Sequence, residues 1–130
     1  MRREARLWIE SAKEDLDDAI RFLNIGRWFR AAFFSQQCVE KILKALYYIV
    51  RREPPPHIHT ITELYRGVKE AGFKLPDKLE NELSVLNKYY TVTRYPDAAN
   101  SLPSESVDEI EARRAVAIAE EIYKYVREKI

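Results

Sequence analysis

The side chains best able to bind or move charge are concentrated between Arg30 and Thr60. Gln37, Lys41, Lys44 and Tyr48 follow at steps of four, three and four residues, which sets them on one face of a helix. Two ammonium groups on such a face can hold a phosphate or a nucleic-acid backbone, with the Gln37 amide adding hydrogen bonds. The same spacing also suits a solvated face on which Glu40 and Lys44 form a helix-stabilising pair. Further on stand the only two histidines, His57 and His59. Imidazole titrates near neutrality and serves as general acid, general base or metal ligand. Without a neighbouring cysteine or carboxylate cluster, this His-Ile-His spacing does not describe a zinc site, and no metal is expected. His59 precedes Thr60, so a bond to the loop backbone is its simplest structural role. Arg52, seven residues before His59, brings a second element. A guanidinium that stabilises phosphorane-like charge beside an imidazole that moves a proton is the minimum an RNase needs.

The second chemically dense stretch is Tyr89-Tyr90-Thr91-Val92-Thr93-Arg94-Tyr95-Pro96-Asp97. Its tyrosines can stack on bases and Arg94 can grip a phosphate with both arms of its fork. The alternative is internal: Tyr90 and Tyr95 in the core or an interface, and Arg94 paired with Asp97 to order the loop. Trp28, Phe29, Phe33 and Phe34 cover more than one face of a helix, so part of this cluster meets another surface, most economically a second copy of the chain.

Helices must position all of these groups. Only three glycines occur, and no alternating strand-like run lies between turn signals. Trp8, Ala12, Leu16, Ala19, Ile20 and Leu23 recur at helical spacing from Arg3 to Leu23, and Asn24-Ile25-Gly26 reads as a left-handed cap. A second helix runs from near Arg27 to about Arg52, with Ala31, Ser35, Cys38, Ile42, Ala45 or Leu46, and Ile49 inward, until Pro54-Pro55-Pro56 ends it. Thr60-Ile61-Thr62-Glu63 reads as a capping box for a short helix ending near Gly72. Asp77 reads as the N-cap of a helix presenting Leu79, Leu83, Leu86 and Tyr90. Ser106-Val107-Asp108-Glu109 reads as a second capping box, opening a last helix with Ile110, Ala115, Ile118, Ala119, Ile122, Val126 and Ile130 inward. The expected fold is an all-α, up-and-down antiparallel bundle of four long helices plus one shorter helix, in a single domain over residues 1–130.

Composition narrows the function classes. With 22 Lys+Arg against 21 Asp+Glu, the chain has no general electrostatic footprint for DNA or RNA, which leaves local patches. Its single cysteine, Cys38, cannot form an internal disulfide. The charged, amphipathic start is neither a signal peptide nor a membrane span, so a cytoplasmic location is expected.

The run from Ala31 to Leu46 (AAFFSQQCVEKILKAL), then Pro55-Pro56, His59-Thr60-Ile61 and Arg94-Tyr95-Pro96-Asp97, resembles the HEPN domain family in the same order along nearly the whole chain. The resemblance implies an up-and-down helical bundle, commonly a homodimer. Small stand-alone members are often encoded beside a minimal nucleotidyltransferase as a toxin-antitoxin-like two-component system. It further implies nucleotide binding, and in many members a metal-independent RNase acting as a toxin. Those RNases carry an arginine followed four to six residues later by histidine, before the last long helix. Here Arg94 is placed for that role, but Ala99, Asn100 and Ser101 stand where the histidine would fall. The pattern with QQ, EK, KAL, His and RYPD matches the stand-alone version.

The expected ligand-binding set is therefore Gln37, Lys41, Lys44, Arg94, Tyr95 and Asp97, and the expected catalytic pair is His59 with Arg94, or with Arg52 instead. Nucleotide or RNA and a minimal nucleotidyltransferase are the expected partners, with no cofactor. A metal-independent endoribonuclease and a helical protein-interaction adaptor are the alternatives.

Overall fold

The computed structural model describes residues 2–92 and 102–130. Among them the chain forms α1 (Arg3–Asn24), α2 (Trp28–Leu46), a π-helical turn (Tyr47–Arg51), α3 (Ile61–Glu70), α4 (Asp77–Val92), a single turn α5 (Pro103–Ser106) and α6 (Glu109–Lys129). No strand occurs among the described residues, and α1, α2, α4 and α6 are the long helices of the expected all-α bundle. α2 is the axis, since every other helix packs against it. Its buried residues, among them Ala31, Ala32, Cys38, Val39, Ile42 and Leu43, run almost all the way round its surface, as a central helix requires.

The turn after α1 forms as its sequence specifies. Gly26 takes φ 76°, Gly26 N–H donates to Leu23 O and Arg27 N–H donates to Phe22 O, closing the last carbonyls of α1. This reversal lays α1 along α2 and buries Ala5, Ile9, Ala12, Leu16 and Ala19 between them. At the far end, α2 widens into the π turn rather than continuing as a regular helix to Arg52. Arg52 closes it in the left-handed conformation (φ 58°), its N–H bonded to Tyr47 O. The widened turn buries Tyr47, whose hydroxyl donates to Leu64 O at 3.1 Å on α3, and Tyr48 is left half-buried. Gly67 makes room for it: a Cβ there would run into Tyr47 Oη and lie 2.9 Å from Cζ.

Several local expectations are corrected. Thr60 precedes α3 but gives no side-chain cap; Asn87 of α4 supplies it, accepting Ile61 N–H at 3.0 Å and donating to Thr62 Oγ1 at 3.1 Å. The second capping box forms two residues later than read. Asp108 accepts Glu111 N–H at 2.8 Å, and Glu111 reaches back to Asp108 N–H. Ser106 instead ends α5. Asp77 is the first residue of α4 rather than a residue outside it, and its carboxylate takes the Lys74 ammonium at 2.6 Å. The inward tyrosine of α4 is Tyr89, 1% exposed, and not Tyr90. Ile110 is 79% exposed, because the shifted cap turns the start of α6 away from the core.

Candidate functional site

Along α2, Gln36, Glu40 and Lys44 stand at four-residue intervals, all buried in a helix that is otherwise apolar on that side. Buried polar groups demand partners. Gln36 Nε2 donates to Glu40 Oε1 at 3.1 Å and to the His59 carbonyl at 3.2 Å, and its own Oε1 accepts from Gln37 Nε2 at 2.6 Å. Glu40 Oε2 takes the Lys44 ammonium at 2.9 Å and His59 Nδ1 at 3.0 Å. The Glu40–Lys44 pair read as a solvated feature therefore forms, but in the interior, with the two side chains 5% and 8% exposed.

His59 is thus fixed twice: by its carbonyl through Gln36 and by its ring through Glu40. Tyr90 completes the frame, its ring stacked on the imidazole at 4.2 Å with 12° between the planes. Glu40, already accepting from an amide and an ammonium, acts as acceptor only, so the proton of the Glu40–His59 bond belongs to Nδ1. The neutral imidazole then carries its lone pair on Nε2. With the side chain 48% exposed, a ring in this tautomer can accept a proton at Nε2 from a bound molecule.

The other α2 residues of the expected set turn toward α1. Lys41 Nζ lies 2.8 Å from Asp15 Oδ2 and donates to Ser11 Oγ at 2.8 Å. Burial holds the Asp15 carboxyl above its ordinary range, and Lys41 opposes that rise. Besides its bond to Glu40, the Lys44 ammonium lies over the Trp8 ring of α1, 5.4 Å from its centre. Both lysines are committed to carboxylates, so a phosphate at this face has to share them with Asp15 and Glu40. Tyr48 continues the same face and lies under the Arg2 guanidinium, 5.1 Å from its ring centre.

Arg94, Tyr95 and Asp97 lie outside the described residues, in the segment that follows the end of α4 at Val92. Arg52 is exposed at the close of the π turn. Cys38 is buried, and desolvation pushes its thiol far above the ordinary range, which makes it a packing residue and not a nucleophile. Among the described residues no three His, Cys, Asp or Glu side chains come together as a metal site, and no helix is long and apolar enough to cross a membrane.

Glu40 and Gln36 are the partners of His59 that spacing alone did not single out. Their signal was a polar residue every fourth position inside a face that burial should have kept apolar.

Known proteins share this architecture. The HEPN domain model matches residues 5–129. A protein of Methanocaldococcus jannaschii named "Putative toxin MJ1304" is 31% identical over 107 residues, 72% of this chain; the match spans 64% of that relative's length. The crystal structure of TT1696 from Thermus thermophilus superposes with a TM-score of 0.88 at 33% identity, covering 99% of this chain and 100% of that one. ST0689, described as an archaeal HEPN homologue, gives 0.78 at 30% identity over 99% of this chain and 98% of its own. With the fold, the order of its motifs and these matches in agreement, the chain belongs to the HEPN domain family.

Proposed function

We propose that this chain is a toxin-like HEPN protein that binds a nucleotide or an RNA phosphate beside His59 and acts as the partner of a minimal nucleotidyltransferase. The observation that carries the reading is the Glu40–His59 bond at 3.0 Å. A buried carboxylate spends its acceptors on orienting a half-exposed imidazole, an arrangement suited to a ring that meets a ligand. Tyr90, stacked on that ring, is close to the end of α4. Arg94, Tyr95 and Asp97 follow in the sequence and supply phosphate and base contacts in this reading. Gln37, Lys41 and Lys44 complete the set from α2, the lysines through shared ion pairs. The toxin name of the Methanocaldococcus relative supports the toxin-like assignment. The half-buried aromatic cluster at the start of α2, with Phe33 edge-on to Phe34 at 5.3 Å, supports a homodimer, and the reading places the pair of subunits in the cytoplasm. Calorimetry with ATP, GTP and a short RNA tests it. Binding that weakens at least about tenfold in His59→Ala and Arg94→Ala is expected, and binding unchanged in both overturns the assignment.

The same observation favours a second reading, a metal-independent endoribonuclease in which His59 moves the proton and Arg94 or Arg52 stabilises the developing charge. It requires RNA cleavage in the presence of EDTA that His59→Ala abolishes. Structured RNA left intact by the purified protein, together with harmless expression in cells, rules it out.

A further inference from the structure

A hollow of about 550 Å³ opens where the π turn, the turn between α3 and α4, and the end of α6 meet the start of α1. It is lined by Arg2, Ile49, Val50, Phe73, Lys129 and Ile130. Four of these side chains are apolar, two are cationic, and none is a carboxylate. The volume falls within the roughly 300–1,000 Å³ of small-molecule sites, which are likewise apolar with a few orienting polar groups. The π turn shapes this space. Where α2 widens, the consecutive residues Ile49 and Val50 both line the hollow and stay half-buried instead of entering the core. π turns within helices recur at functional sites. Phe73 forms another wall, its ring edge-on to Tyr125 of α6 at 6.2 Å. The Lys129 ammonium lies 5.4 Å from the centre of the Tyr125 ring, and Tyr125 Oη donates to Lys74 O at 3.4 Å.

The two cations differ in their commitments. Arg2 has Glu4 at 3.4 Å, but both side chains are about half exposed, and a pair of that kind contributes little. Lys129 has no carboxylate partner among the described residues. An ammonium without a counter-charge, at the edge of apolar walls, suits a molecule with one anionic head and an apolar body. We propose that this hollow binds a free alkyl carboxylate, its chain against Ile49, Val50, Phe73 and Ile130 and its head at Lys129, with Arg2 as the second contact. The site shares no residue with the His59 cluster and does not depend on the functional reading above. The apolar walls disfavour a polyanion such as RNA, and the size of the hollow favours a small molecule over a folded partner.

Titration of the full chain with decanoate below its micelle concentration, followed by NMR, tests the assignment. Saturable one-to-one binding is expected, with the shifts centred on Ile49, Val50, Phe73 and Ile130. Decanol, which keeps the chain and lacks the charge, is expected to bind about tenfold more weakly. Lys129→Gln, at an exposed position, is expected to weaken decanoate about tenfold and to leave decanol unchanged. Absence of decanoate binding, equal binding of decanol, or shifts centred elsewhere overturns the proposal. Tighter binding of a peptide ending in leucine assigns the hollow to a polypeptide end, and tighter binding of anionic phospholipid vesicles assigns it to a membrane surface; either overturns the proposal. Shifts at the same residues on concentrating the chain alone show that a second copy covers the hollow, which overturns it as well.

Discussion

Glu40 Oε2 lies 3.0 Å from His59 Nδ1 and 2.9 Å from Lys44 Nζ, so one buried oxygen joins the ring of a loop histidine to an interior ammonium. Removing that oxygen leaves Lys44, 6% exposed, as an uncompensated buried charge. Glu40→Ala is therefore expected to destabilise the protein by about 3–5 kcal/mol, read as a lower urea midpoint at unchanged slope. A loss under about 1 kcal/mol would mean that water reaches Lys44 and that the pair is not a fixed element.

Asn87 caps α3 from α4 and so fixes the loop that presents His59. Asn87→Ala is expected to cost about 1–2 kcal/mol, the worth of a lost cap, and to speed hydrogen exchange at Ile61 N–H. Unchanged exchange there would show that the Asn87 amide does not hold the helix start.

Gly67 and Tyr47 are coupled by a close approach that leaves no space for a β-carbon. Gly67→Ala is expected to destabilise by about 1–3 kcal/mol through overpacking. Tyr47→Phe alone loses its bond to Leu64 O, about 1 kcal/mol. Because Phe also removes the hydroxyl that the methyl added by Gly67→Ala would strike, the double variant should be more stable than the sum of the singles. Strict additivity in a double-mutant cycle would contradict the contact.

Asp15 provides a pH signature. Burial, the largest influence, raises its folded pKa despite Lys41. A raised folded pKa brings stability that is complete below the unfolded value and lost as pH rises through the folded one. Asp15→Asn has no such dependence at this position. The stability of the variant minus that of the native chain should therefore increase from about pH 4 toward neutrality. Urea unfolding at several pH values checks this; a difference that falls with rising pH would reverse the sign and show Lys41 to dominate.

Much of this architecture can be read in the linear chain, and the misreadings have common physical causes. The Gly26 reversal and most of the inward face of α2 follow from local rules of periodicity and backbone conformation and stand as read. The α1 stripe is rotated: Ala5 and Ile9 are buried with Ala12, Leu16 and Ala19, and Trp8, Ile20 and Leu23 lie at its partly buried edge. Caps were harder. Thr60-Ile61-Thr62-Glu63 and Ser106-Val107-Asp108-Glu109 satisfy the same local pattern, yet the first lost to a side chain from another helix and the second to Asp108, two residues on. On α4, adjacent tyrosines left one of two faces to be chosen, and packing against Glu111, which accepts from Tyr89 Oη at 3.1 Å, selected Tyr89. For the site, residue type pointed to His59, but its partners come from 19 and 23 positions earlier in the chain and from Tyr90. Long-range pairing of that kind leaves no local signature beyond the misplaced polar residues Gln36 and Glu40.

Whether Glu40 sets His59 as a ligand-facing imidazole is decided by long-range ¹H–¹⁵N NMR of the two histidine rings at a pH where both are neutral. Each ring is assigned by comparison with His57→Gln. His59 is expected to carry its proton on Nδ1, Glu40→Gln to shift it toward the Nε2–H form, and short RNA to move the His59 Nε2 resonance. A His59 ring protonated on Nε2, or an Nε2 resonance unmoved at saturating RNA, would contradict it.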